Sequence, residues 1–69
     1  MTAVSVSRPP GRLVQKLARN LHEGWWVRLD GHWRMVEEVT LTARGVHLSF
    51  PDGVTRDLPL GSEHAVVIP

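Results

Sequence analysis

The chain of 69 residues contains no cysteine, no tyrosine and a single phenylalanine. Without cysteine there is no disulfide framework and no thiolate zinc site. No run approaches the ~18 consecutive apolar residues that a membrane-spanning helix needs. The segment from Met1 to Ser7 lacks a charged region followed by an apolar stretch, so no secretory signal is expected and the expected setting is cytoplasmic. Phosphate-cradling glycine motifs are missing, and no serine sits in a Gly-x-Ser-x-Gly elbow. The four histidines, His22, His32, His47 and His64, are scattered, with no His-x-x-x-His pair to hold a metal. Glu37 and Glu38 are adjacent, so on a strand they point to opposite faces and do not flank one substrate. These absences lead us to expect no enzyme activity, no metal and no cofactor.

What is present suits one small folded domain. Hydrophobic residues make up 42% of the chain and include three tryptophans, too apolar for a disordered tail. A chain of ~60 residues buries only ~60% of its unfolded surface, so nearly every large apolar side chain is needed in the core. An exposed tryptophan would then point to a partner, and oligomerisation would be one way to complete the core.

Residues 1–11 read as a flexible arm punctuated by Ser5, Ser7, Pro9, Pro10 and Gly11, with Val4 and Val6 able to add a short strand to a sheet edge. Residues 12–69 form the domain. Leu13, Leu17 and Leu21 recur every four residues among good helix formers, which predicts a short amphipathic α-helix over 12–22 that stops near Gly24. After Gly24 the period changes. Leu29-Asp30-Gly31 and Pro51-Asp52-Gly53 each suit a three-residue hairpin loop closed by a left-handed glycine. Strands are predicted over about 25–29, 32–41, 45–50, 54–58 and 65–68. Val36 and Val39 require opposite parity, which predicts a bulge near Glu37-Glu38. Ala65-Val66-Val67-Ile68 is apolar at consecutive positions, so both faces of the last strand should be covered, the second by another subunit if necessary.

One helix and five short strands resemble the SH3-like small barrels, and the leading helix resembles their Sm-like variety. The resemblance rests on Gly24 to Trp33, Leu48 to Gly53 and Ala65 to Ile68, and it implies a mainly β fold with a five-stranded barrel. It carries over no ligand site. The Ala-Leu-Tyr-Asp-Tyr-type stretch of signalling SH3 domains is absent, and Pro59-Leu60-Gly61 stands where Sm-like RNA binders place Arg-Gly. The hairpins also look like those of Hint domains, but the catalytic start and splicing histidine motif are missing. A fold by itself does not assign a function.

Charge is more informative than its net value of +1. Arg8, Arg12, Lys16, Arg19, Arg28 and Arg34 face only Glu23 and Asp30 in residues 1–34, whereas residues 35–69 hold Arg44 and Arg56 against Glu37, Glu38, Asp52, Asp57 and Glu63. On the expected helix Arg12, Lys16 and Arg19 form one basic stripe. With a three-residue loop, Arg28 would pair with His32 and Trp26 with Arg34. Trp26, Arg28, His32 and Arg34 would then share an outer face, and Trp25, Val27, Trp33 and Met35 an inner one. A tryptophan among cations suits stacking on a single-stranded base. The expectation is a non-catalytic binding module for nucleic acid using these seven residues. The alternative is a protein-interaction or self-assembly module that uses open barrel edges and the last strand.

Overall fold

A computed structural model describes residues 8–69. The expected flexible arm as far as Ser7, with the short strand that Val4 and Val6 could add, lies outside the described residues. Seven strands follow in chain order: β1 (Arg12–Leu17), β2 (Trp26–Leu29), β3 (His32–Met35), β4 (Glu38–Leu41), β5 (Val46–Ser49), β6 (Thr55–Leu58) and β7 (Glu63–Ile68). They form two antiparallel sheets, sheet A in the order β1-β7-β2-β3 and sheet B in the order β4-β5-β6.

Two parts of the expected fold are overturned. No α-helix forms over 12–22: residues 12–17 are strand, and only a single 3-10 turn follows at Ala18–Asn20. Among the described residues the strands number seven rather than five, and the two sheets do not close into a barrel. The helix is lost to β7. That strand needs a partner on each side, and β1 lies along it from Arg12↔Ile68 to Leu17↔Glu63 while β2 occupies the other side. An isolated helix of about 11 residues is marginal in water, so pairing along six residues prevails over local propensity. β7 is consequently a central strand and not an open edge.

The core lies between the sheets. Val27 and Leu29 from β2, Val66 from β7, Val46 and Leu48 from β5, and Phe50 and Leu58 are all buried. Each contributes roughly 1.5–3 kcal/mol by leaving water. The chain passes from one sheet to the other at Val36-Glu37: the Val36 amide donates to Trp25 O at 2.8 Å in sheet A, and the next amide, of Glu37, donates to Ser49 O at 2.9 Å in sheet B. Glu38 pairs with Ser49 in that ladder, so Glu37 and Glu38 both oppose one residue, and the bulge expected there is present. A second irregularity sits at Gly24 (φ +86°), whose amide also bonds to Val36 O. Gly24 and Trp25 thus oppose one residue, the pattern of a glycine bulge.

Among the described residues no helix is long and apolar enough to cross a membrane.

Candidate docking face of sheet A

The β2–β3 hairpin decides which side chains share a surface. Its turn has two residues, not three: Asp30 (φ +51°) and Gly31 (φ +81°) both adopt the left-handed region, and Leu29 pairs directly with His32. This is the backbone of a type I′ turn, favoured because its twist matches that of the strands. The register is Trp26↔Met35, Val27↔Arg34, Arg28↔Trp33. One residue less in the loop turns every side chain of β3 to the other face.

The expected four-residue patch is therefore split. Trp26 and Arg28 do lie on the outer face of sheet A. His32 and Arg34 lie on the side of Val27 and Leu29, and Trp33 and Met35 take their places outside. Trp25 and Val27 face inward as expected; Trp25 packs against the core, 4.6 Å from the His22 ring. The basic stripe also dissolves. Arg12 and Lys16 lie on the Val14 side of β1, with the Lys16 ammonium 6.0 Å from the Trp25 ring, and Arg19 sits in the following turn.

Arg34 is already committed within the chain. Its Nη2 donates to Asp52 Oδ2 at 2.6 Å, its guanidinium lies 4.5 Å from the Phe50 ring, and its Nε is buried with no partner among the described residues. Asp52 also accepts from the Val54 amide, and that bond and the Arg34 guanidinium hold its carboxyl below the usual value of 3.8. A second clamp runs the other way, from Arg56 of β6 to Asp30 at 2.6 Å. Arg28 makes no ion pair among the described residues and lies 5.8 Å from the Trp33 ring.

An apolar row crosses the outer face of all four strands of sheet A. The register sets Leu13 beside Val67, Val67 beside Trp26, and Trp26 beside Met35. Val67 is completely buried although it stands outside the main core cluster. Its cover comes from this same chain and not from a second subunit: Leu13 and Trp26 flank it, and Gly11 packs so closely that a Cβ there would lie 2.7 Å from its methyl group. The ends of the row stay open, with Leu13 46% and Met35 37% exposed. Trp33 adds a second indole diagonal to Trp26. The alternation of Trp33 and Met35 is visible in the sequence; only the turn length hides which way they point.

Beside this face, an open groove follows the free side of β3, lined by Trp26, Trp33, Arg34, Met35, Phe50 and Pro51 among others. In the β2–β3 ladder Val36 bonds to β2. Antiparallel pairing alternates, so Arg34 and His32 also bond inward, while the backbone groups of Trp33 and Met35 point into the groove. Among the described residues no other backbone bond reaches them.

Other polar clusters offer less. Thr40, His47 and Asp57 occupy one row across sheet B, and His47 Nδ1 meets Asp57 Oδ1 at 2.6 Å. Thr40 makes no hydrogen bond to His47, and both dyad side chains are largely exposed. His64 lies 2.8 Å from Ser62 Oγ, which donates to Pro59 O. Burial, with a smaller push from Arg56, holds its imidazole below the usual 6.5. Among the described residues no three His, Asp or Glu converge to hold a metal.

The chain matches no known family model, and neither curated proteins nor solved structures include a significant match.

Proposed function

We propose that this chain is a non-catalytic protein-interaction module that docks its partner on the outer face of sheet A. The observation that carries the reading is the row Leu13–Val67–Trp26–Met35, which puts exposed apolar surface on the side of the sheet away from the core. In a chain short of apolar material, such a surface is costly to leave open, and it favours a partner. The register removes His32 and Arg34 from that surface and puts Trp33 and Met35 there instead, which lowers its charge and favours a protein ligand over a phosphate backbone. A cytoplasmic setting fits the cysteine-free composition and belongs to the same proposal.

The test is site-specific photo-cross-linking in cells, with the reactive group at Met35 or Leu13 and a control at Thr40 on sheet B. Discrete protein adducts that survive nuclease, from the sheet A positions only, are the expected result. Equal labelling from Thr40 would remove the assignment of the face.

Nucleic acid is a second reading, supported by one feature: Arg28 over the Trp33 ring gives a cation beside a stacking surface. It predicts binding of single-stranded oligonucleotides that weakens steeply with salt. No binding at low salt would dispose of it.

A further inference from the structure

The four sheet edges are not equally defended. β1 carries Arg12 and Lys16 and follows Pro9-Pro10; β4 begins at Glu38 with Glu37 before it; β6 holds Arg56 and Asp57 between Pro51 and Pro59. Charge and proline are what proteins use to blunt an edge. β3 has no proline and no acid, and the two residues whose backbone faces outward are Trp33 and Met35. Its single inward charge, Arg34, is neutralised by Asp52.

Resting on the docking reading above, we propose that the free edge of β3 accepts an extended segment of a partner protein as a fifth strand of sheet A. The amides and carbonyls of Trp33 and Met35 supply the ladder. Side chains on one face of the added strand pack beside Trp33 and Met35, so apolar residues are required at alternate positions. Among the described residues Arg28 is the cation of this surface that makes no ion pair, and its position over Trp33 carries its charge toward the edge. The segment therefore includes a carboxylate on that face. A second copy of β3 is a poor occupant. β3 runs His32-Trp33-Arg34-Met35 and carries no acid, so a second copy offers no carboxylate to Arg28.

Selection of a displayed random dodecapeptide library against the full chain tests this. The expected winners carry apolar residues two apart and at least one acid. A synthetic winner should lose at least about tenfold in affinity on Met35→Pro, which removes an outward amide, and clearly less on Met35→Ala, which keeps it. Because Met35→Pro could unfold the chain, hydrogen exchange on the unaltered protein gives an independent reading: bound peptide should slow the Trp33 and Met35 amides. Arg28→Glu should abolish the acidic preference. Winners that depend on Trp26 but bind both Met35 variants equally and leave those amides unprotected would overturn strand addition while sparing the docking face. No enrichment, or winners indifferent to Trp26→Ala as well, would overturn both. A concentration-dependent dimer with protected Trp33 and Met35 amides would replace the partner segment with a second copy.

Discussion

Two of the hairpins, β2–β3 and β5–β6, share an Asp-Gly turn and yet close differently. In the β5–β6 hairpin, Pro51-Asp52-Gly53 forms a three-residue loop: the Phe50 amide donates to Val54 O, and the Gly53 amide donates to Phe50 O. Only Gly53 is left-handed there, at φ +86°. In the β2–β3 hairpin two residues suffice, and Asp30 itself is left-handed. Proline explains the first: a two-residue turn at Asp52-Gly53 would put Pro51 in the closing ladder pair, where Leu29 stands in the other hairpin, and proline has no amide to donate there. Leu29 explains the second. A three-residue loop would take Leu29 out of the strand, whereas the two-residue turn keeps it paired and almost fully buried. Turn type here is set by what the residue before Asp-Gly must do, and the hairpins then exchange clamps, Arg56 to Asp30 and Arg34 to Asp52.

The strongest way to break the comparison is Leu29→Pro, which gives both turns the same Pro-Asp-Gly sequence. We expect a loss of about 2–4 kcal/mol from the missing ladder bond and the lost burial of Leu29 together, enough to abolish the urea transition of so small a domain. A folded variant would show that burial of Leu29 does not select the turn. Gly31→Ala and Gly53→Ala sharpen the point at lower cost. A Cβ at either position meets nothing within 4 Å, so only the left-handed backbone is penalised, by about 1–2 kcal/mol. Equal thermal shifts are expected, and a clear difference would mean that one turn relaxes.

Pro51→Ala should destabilise by about 0.4–1 kcal/mol, mainly by freeing the unfolded chain. The smallest effect is electrostatic. Because the Asp52 carboxyl is held below 3.8 in the fold, its contribution is complete above that value and fades as pH falls through the lowered one. Asp52→Asn should therefore lose stability at neutral pH and show a flatter acid limb; an unchanged acid limb would exclude the Arg34 clamp as a pH-sensitive element.

Much of the sheet structure was legible. Alternation over Val46, Leu48 and Phe50 marked β5, and the unbroken apolar run at 65–68 announced a strand covered on both faces. The second predicted strand, 32–41, is two strands, because the chain changes sheets in the middle of it. Two failures have physical causes. Leu13, Leu17 and Leu21 suit a helix by spacing, but the need of β7 for a second partner is a property of the whole sheet and leaves no mark near residue 12. The face on which these side chains lie was legible in β2 but not in β3, for a similar reason. Trp26 and Arg28 point outward as read, while one residue of turn length exchanged His32 and Arg34 for Trp33 and Met35.

The pairing of β1 with β7 also has a temporal consequence. Val14 faces Val66, so a strand near the start of the chain is completed only by one near its end. Contacts so distant in sequence form late, after the intervening loop has been closed. During synthesis β1 leaves the ribosome with its helix-favouring sequence intact and no neighbour to pair with. It stays uncommitted until β7 follows.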